Sequence, residues 1–134
     1  MIIEGNEAAF QKGCDVLNAL TDGSVYLGLD ARGEAPAKGF TEATGVVKNY
    51  FSGKHPIGNV GVQIHHIDPI AKGEVVWTVK PQDVLAIGKL FESGKYDASR
   101  VVAVTGPQVN NPKYYRTIIG ANTKTLFTDI KEGN

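Results

Sequence analysis

The sequence predicts an α/β fold: a Rossmann-like, mostly parallel sheet flanked by helices, followed by the start of a small β-rich domain. Three observations predict it. Short, nearly continuous apolar runs, "SVYLGL" and "RVVAVTG" among them, suit strands covered on both faces. Segments with apolar residues at helical spacing alternate with those runs, which is the pattern of a parallel sheet with crossover helices. After Gly106 the alternation stops, and turn residues and mixed strand-like stretches take over. This division gives residues 1–106 as the α/β domain and residues 107–134 as a truncated beginning of the β-rich one.

Residues Asn6–Leu20 form the first predicted helix. Phe10, Cys14, Leu17 and Leu20 recur three and four apart, Asn6 suits the N-cap, and Gly23 suits the stop. "SVYLGL" (Ser24–Leu29) is the first strand. Asp30–Gly45 is polar and rich in Gly and Ala, a loop or a loop holding a weak helix. "VVKNYF" (Val46–Phe51) is the second strand. "VVWTV" (Val75–Val79), with its β-branched residues and Trp77, reads as a third. Pro81–Gly94 is the clearest helix: Pro81 in the first turn, Asp83 near the positive end, and Gly94 at the stop. Val84, Ile87, Leu90 and Phe91 make its expected buried face, with Leu90 and Phe91 against "RVVAV" (Arg100–Val104). Asn110-Asn111-Pro112 marks a turn, "YYRTIIGANTKTLF" is strand or loop, and Thr128–Asn134 trails off polar.

Composition narrows the function. The chain has 134 residues, 42% of them apolar, enough for a respectable core. Lys plus Arg is 14 and Asp plus Glu is 14. With no basic excess to neutralise phosphates, nucleic acid is not an expected partner. No apolar run approaches the roughly 18 residues of a membrane span, so no direct span is expected. Cys14 is the only cysteine, which excludes a disulfide within the chain and a thiolate zinc site. Its setting on an apolar helix face marks it as a core thiol.

Gly53–Ile70, "GKHPIGNVGVQIHHIDPI", concentrates the candidate chemistry. Gly53 and Gly58 have the spacing of a phosphate loop after a strand, but Asn59 stands in the lysine position and Val60 in the magnesium-binding hydroxyl position. Pro56 also removes an N–H from any cradle built of N–H groups. G-x-G-x-x-G is absent from the whole chain. His65, His66 and Asp68 lie close in sequence, with His55 upstream. On a helix His65 and Asp68 share a face while His66 diverges; on a strand the two histidines point opposite ways. Three convergent metal ligands are therefore not expected. The remaining reading is a shape element at the carboxyl end of a strand, with Asn59–Ile67 a helical turn or short helix whose Ile64 and Ile67 dock on the sheet. On this reading His55, Pro56, Gly58, Gly61, His65, His66 and Asp68 make a loop that meets a partner or ligand, where open α/β folds place them. Catalytic, cofactor and metal residues are expected to be absent.

Three stretches carry a resemblance: "EAAFQKGCDVLNALTDGSVYL", "KHPIGNVGVQIHHIDPI" and "VLAIGKLFESGKYDASRVVAVTGPQVNNPKYYRTIIGA". Together they resemble the NqrA subunit of the bacterial Na+-translocating NADH:quinone oxidoreductase, almost end to end. The segment Asp83–Gly120 is the most specific part. The RnfC subunit of the Rnf complex and the flavin-bearing subunit of respiratory complex I are similar at greater distance. The resemblance implies a central fragment of a longer peripheral subunit, on the cytoplasmic side of the bacterial inner membrane. It implies other subunits of the complex as partners, and quinone as a further one. NADH, FAD and quinone then belong to the whole complex, which reduces ubiquinone and exports sodium, and the fragment itself is not catalytic. The competing reading is a self-contained α/β enzyme or metal-binding domain using His65, His66 and Asp68.

Overall fold

The computed structural model describes residues 2–128, 130 and 131. The chain divides into two compact units, Met1–Tyr96 and Asp97–Asn134. The first holds four helices, α1 (Glu7–Leu20), α2 (Lys38–Thr41), α3 (Val60–Ile67) and α4 (Pro81–Ser93), and two strands, β1 (Tyr26–Asp30) and β2 (Val47–Phe51). β1 and β2 pair in parallel, Tyr26 opposite Val47 through to Asp30 opposite Phe51. The mixed α/β class predicted from the alternating pattern is the class observed.

The core of this unit lies between α1, α4 and the sheet. Ile3, Ala9, Phe10, Cys14, Ala43, Val84 and Leu85 are buried together, with Leu17, Leu27, Phe40 and Val46 packed around them. Phe10 meets Phe40 edge to face, ring centroids 5.1 Å apart, so α2 lies on the same side of the sheet as α1. Cys14 sits among these residues as a core thiol, and burial pushes its pKa up. α1 and α4 touch backbone to backbone. A Cβ at Gly88 would fall on the Ala9 carbonyl oxygen, and one at Gly13 on the Val84 carbonyl oxygen.

That contact corrects the predicted faces. α4 buries Val84, Leu85 and Gly88, whereas Leu90 is half-buried and Phe91 is 61% exposed. Gly88 brings α4 onto α1, and this turns the buried stripe away from Phe91. In α1, Leu20 is exposed, and the helix ends at an extended Thr21 rather than at Gly23. Gly94 does close α4, in the left-handed conformation at φ 69°, its N–H donating to the Leu90 carbonyl.

Two predicted strands behave differently. Val75–Val79 is not a strand; it runs exposed between α3 and α4, Trp77 at 88%. Its β-branched residues favour an extended chain, but among the described residues no neighbouring strand supplies the ladder. "RVVAV" is a strand, β3 (Ser99–Val104), but it belongs to the second unit. There it pairs antiparallel with β4 (Lys113–Ile118), Ser99 opposite Ile118 and Val104 opposite Lys113. A turn through Gly106–Val109 reverses the chain, and the Asn110-Asn111-Pro112 segment expected to turn follows it as a bend leading into β4. A 3₁₀ turn, Thr123–Thr125, follows, with the Lys124 N–H donating to the Asn122 side chain. Val109 bridges Ile130. Part of the polar tail predicted at Thr128–Asn134 lies outside the described residues.

Candidate functional site

The carboxyl ends of β1 and β2 stop side by side at Asp30 and Phe51. The chain leaves each strand into a loop, and α3 follows the second loop. Between them lies a cleft of about 240 Å³, lined by Gly28, Leu29, Asp30, Arg32, Phe51, Ile57, Gly58 and Gln63. This is the edge at which parallel sheets place ligands.

One ion pair dominates the cleft's electrostatics. Arg32 donates through Nε to Asp30 Oδ1 at 2.9 Å and through a terminal nitrogen to Oδ2 at 2.8 Å. The Arg32 backbone N–H adds a third bond to Oδ1 at 2.9 Å. These hydrogen bonds, the side-chain ones first, bring the Asp30 pKa down from 3.8 to about 2, and the same pairing raises that of Arg32. The other terminal nitrogen reaches the Gly53 carbonyl at 3.5 Å, joining the loop after β1 to the one after β2.

The second wall comes from α3. Alternation along β1 turns Gly28 to the face opposite Leu27 and Leu29. A Cβ at Gly28 would strike Gln63 Oε1, so glycine lets α3 lie close against that face. Gln63 Nε2 donates to the Ile57 carbonyl at 3.2 Å, and the Asn59 N–H to the Pro56 carbonyl at 2.8 Å. The path from Gly53 to α3 is thus held by its own hydrogen bonds.

The predicted helix over Asn59–Ile67 forms as α3, with Asn59 at its N-cap, and Ile64 and Ile67 are half-buried. Of the residues singled out by sequence, Gly58 alone lines the cleft. His55, Pro56, Gly61, His65, His66 and Asp68 are exposed. His65 and His66 rings are 6.0 Å apart, and the Asp68 N–H closes α3 on the Ile64 carbonyl. Among the described residues, no group of three or more His, Cys, Asp or Glu side chains is placed to hold a metal. Gly58 and Gly61 have no atom within 4 Å of an added Cβ, and neither takes positive φ. The position that needs glycine is Gly53, at φ 153°.

Sequence reasoning missed Asp30, Arg32, Phe51 and Gln63. A signal existed: an acid ending a parallel strand with an arginine two residues on. It becomes legible once the strand ends are known to be neighbours.

No helix among the described residues is long and apolar enough to cross a membrane. Residues 1–96 match the family model described as "NqrA second alpha/beta domain", and residues 101–134 that of the "NQRA C-terminal domain". The chain is 45% identical over 136 residues to the NqrA subunit of the Na(+)-translocating NADH-quinone reductase of Alcanivorax borkumensis, covering 100% of this chain and 30% of that protein. The corresponding subunit of Pasteurella multocida is 42% identical across 99% of this chain and 29% of its own length. That of Yersinia pestis is 44% identical across 100% and 30%. The chain therefore spans about 30% of the length of these curated relatives.

Proposed function

The chain belongs to the NqrA family of Na(+)-translocating NADH-quinone reductase subunits, and we propose that it serves that complex as a non-catalytic domain supporting ubiquinone reduction coupled to sodium export. It sits peripherally on the cytoplasmic side of the inner membrane, bound to other subunits, with NADH, FAD and quinone chemistry carried by the whole assembly. The loop from His55 to Asp68 is the surface that meets the partner or the quinone side.

The observation that carries this reading is the state of the cleft. The one carboxylate lining it, Asp30, is engaged on both oxygens by Arg32. An acid titrating near pH 2 is a poor proton acceptor at neutral pH, and an arginine so engaged has little left to offer an anion. Asn59 and Val60, in place of lysine and a hydroxyl, leave nothing to grip a terminal phosphate. What remains is a shaped, exposed loop with histidines on its outer side, suited to contact rather than to catalysis.

The test is the double variant His55→Ala with His66→Ala in the full-length protein, assembled in the complex. NADH oxidation with an artificial electron acceptor should be unchanged, while NADH-dependent quinone reduction or subunit retention falls several-fold. Unchanged quinone reduction with full retention would remove the loop from the reading. Loss of the artificial-acceptor reaction would point to a catalytic role instead.

A further inference from the structure

We infer that Arg32 is a positioning residue for the partner-facing loop: through the Gly53 carbonyl it holds the arch Lys54–Pro56 in the shape a partner subunit meets, without touching the partner itself. The inference rests on the reading of His55–Asp68 as a contact surface, and it adds what sets the shape of that surface.

The arch is small and exposed. The Ile57 N–H donates to the Lys54 carbonyl at 3.1 Å, closing a four-residue turn with His55 and Pro56 at its crest. Lys54, His55 and Pro56 are exposed, while Ile57 is half-buried and lines the cleft. A turn of this length has no core of its own, so its direction is set where it is anchored.

It has two anchors, supplied by different elements. At the far end, Gln63 of α3 donates to the Ile57 carbonyl at 3.2 Å. At the near end, the Gly53 carbonyl accepts from a terminal nitrogen of Arg32 at 3.5 Å. The two ends lie against each other: a Cβ at Gly53 would sit 3.7 Å from the Ile57 side chain.

Arg32 suits the task by geometry. The Ala31 N–H donates to the Phe51 carbonyl at 2.8 Å, so Arg32 and Gly53 leave the sheet side by side, just past its last rung. Asp30 fixes the guanidinium, with Nε and one terminal nitrogen on its two carboxylate oxygens at 2.9 and 2.8 Å. That leaves the other terminal nitrogen aimed at Gly53. A planar fork held at two points loses little further freedom in making a third bond. Lysine, a single ammonium on a flexible stem, cannot span both oxygens and the carbonyl.

The third bond is long and the ion pair is exposed, so the contribution to global stability is small. The effect is local. It selects one orientation for Gly53, which sits at φ 153° with the wide conformational freedom of glycine. A loop already in its bound shape loses less entropy on docking. Removing the anchor therefore weakens the partner contact without removing any contact atom.

Hydrogen exchange on the full-length protein, and its retention in the purified complex, test this. In Arg32→Ala the Ile57 amide should exchange about tenfold faster, with the amides of α1 and α4 unaffected. The same variant should lower retention in the complex several-fold. His55→Ala should then cost less than it does with Arg32 present, because both changes act on one arch. Arg32→Lys should behave as Arg32→Ala does. Unchanged exchange at Ile57, strictly additive losses for Arg32→Ala and His55→Ala, or full rescue by lysine would each overturn the inference, the last because charge alone would then suffice. Failure of the underlying reading looks different: the double variant His55→Ala with His66→Ala would keep its partners while Ile57 still exchanged faster in Arg32→Ala. That result would overturn the role toward a partner and leave only the local anchor.

Discussion

Asp30 shows what one side-chain pair does to a cleft. Its carboxylate is solvent-exposed, yet Arg32 and the Arg32 backbone N–H bring its pKa to about 2. A folded-state pKa below the unfolded value of about 3.9 contributes stability that is present above that value. The contribution disappears as pH falls through about 2. Exposure screens the pair, so the effect on stability is small. Arg32→Ala should return the Asp30 midpoint to the ordinary carboxylate range, followed by NMR titration of its side-chain carbonyl carbon. A midpoint that stayed near 2 without the arginine would rule out this cause.

At the scale of elements, the α1–α4 contact decides which side chains matter. Leu85 is 6% exposed and lies in the core, so Leu85→Ala should cost about 2–5 kcal/mol in denaturant melts. Phe91→Ala should cost less than about 1 kcal/mol because that ring lies outside the buried stripe. Gly88→Ala should lose about 1–3 kcal/mol or more, since its methyl would press on the Ala9 carbonyl and push the helices apart. Gly61→Ala, in the open first turn of α3, should gain about 0.5–1 kcal/mol from helix propensity. Equal losses at Phe91 and Leu85 would show that α4 is rotated from the face described.

At the scale of the whole chain, the missing features concern nucleotides. There is no G-x-G-x-x-G to bring a helix N-terminus against a pyrophosphate, and no lysine at Asn59. Calorimetric titration with NADH and with FMN should therefore give no binding in the micromolar range. Micromolar affinity for either would show a nucleotide site built from residues outside the known motifs, and would return the chain to the enzymes.

By itself, the sequence determined the α/β class, α1 and α4 to within a residue or two, both parallel strands, the short helix after Asn59 and the kinship with NqrA. The elements follow from local signals: helical spacing, β-branched runs, a proline that opens a helix and a glycine that stops one; the kinship rests instead on the resemblance of whole stretches, Asp83–Gly120 above all. Tertiary structure decided which faces those elements bury. The helical spacing allowed Leu90 and Phe91 in the core as readily as Leu85, and only the Gly88 contact with α1 chose between them. It also decided strand partners, because an apolar run carries no record of its neighbour: "RVVAV" found β4, and "VVWTV" none among the described residues. The candidate site divides the same way. Gly58 and the loop were legible from glycine and proline punctuation. Asp30, Arg32 and Gln63 were not, because the cleft joins residues brought together only by the pairing of β1 with β2 and the seating of α3 on Gly28.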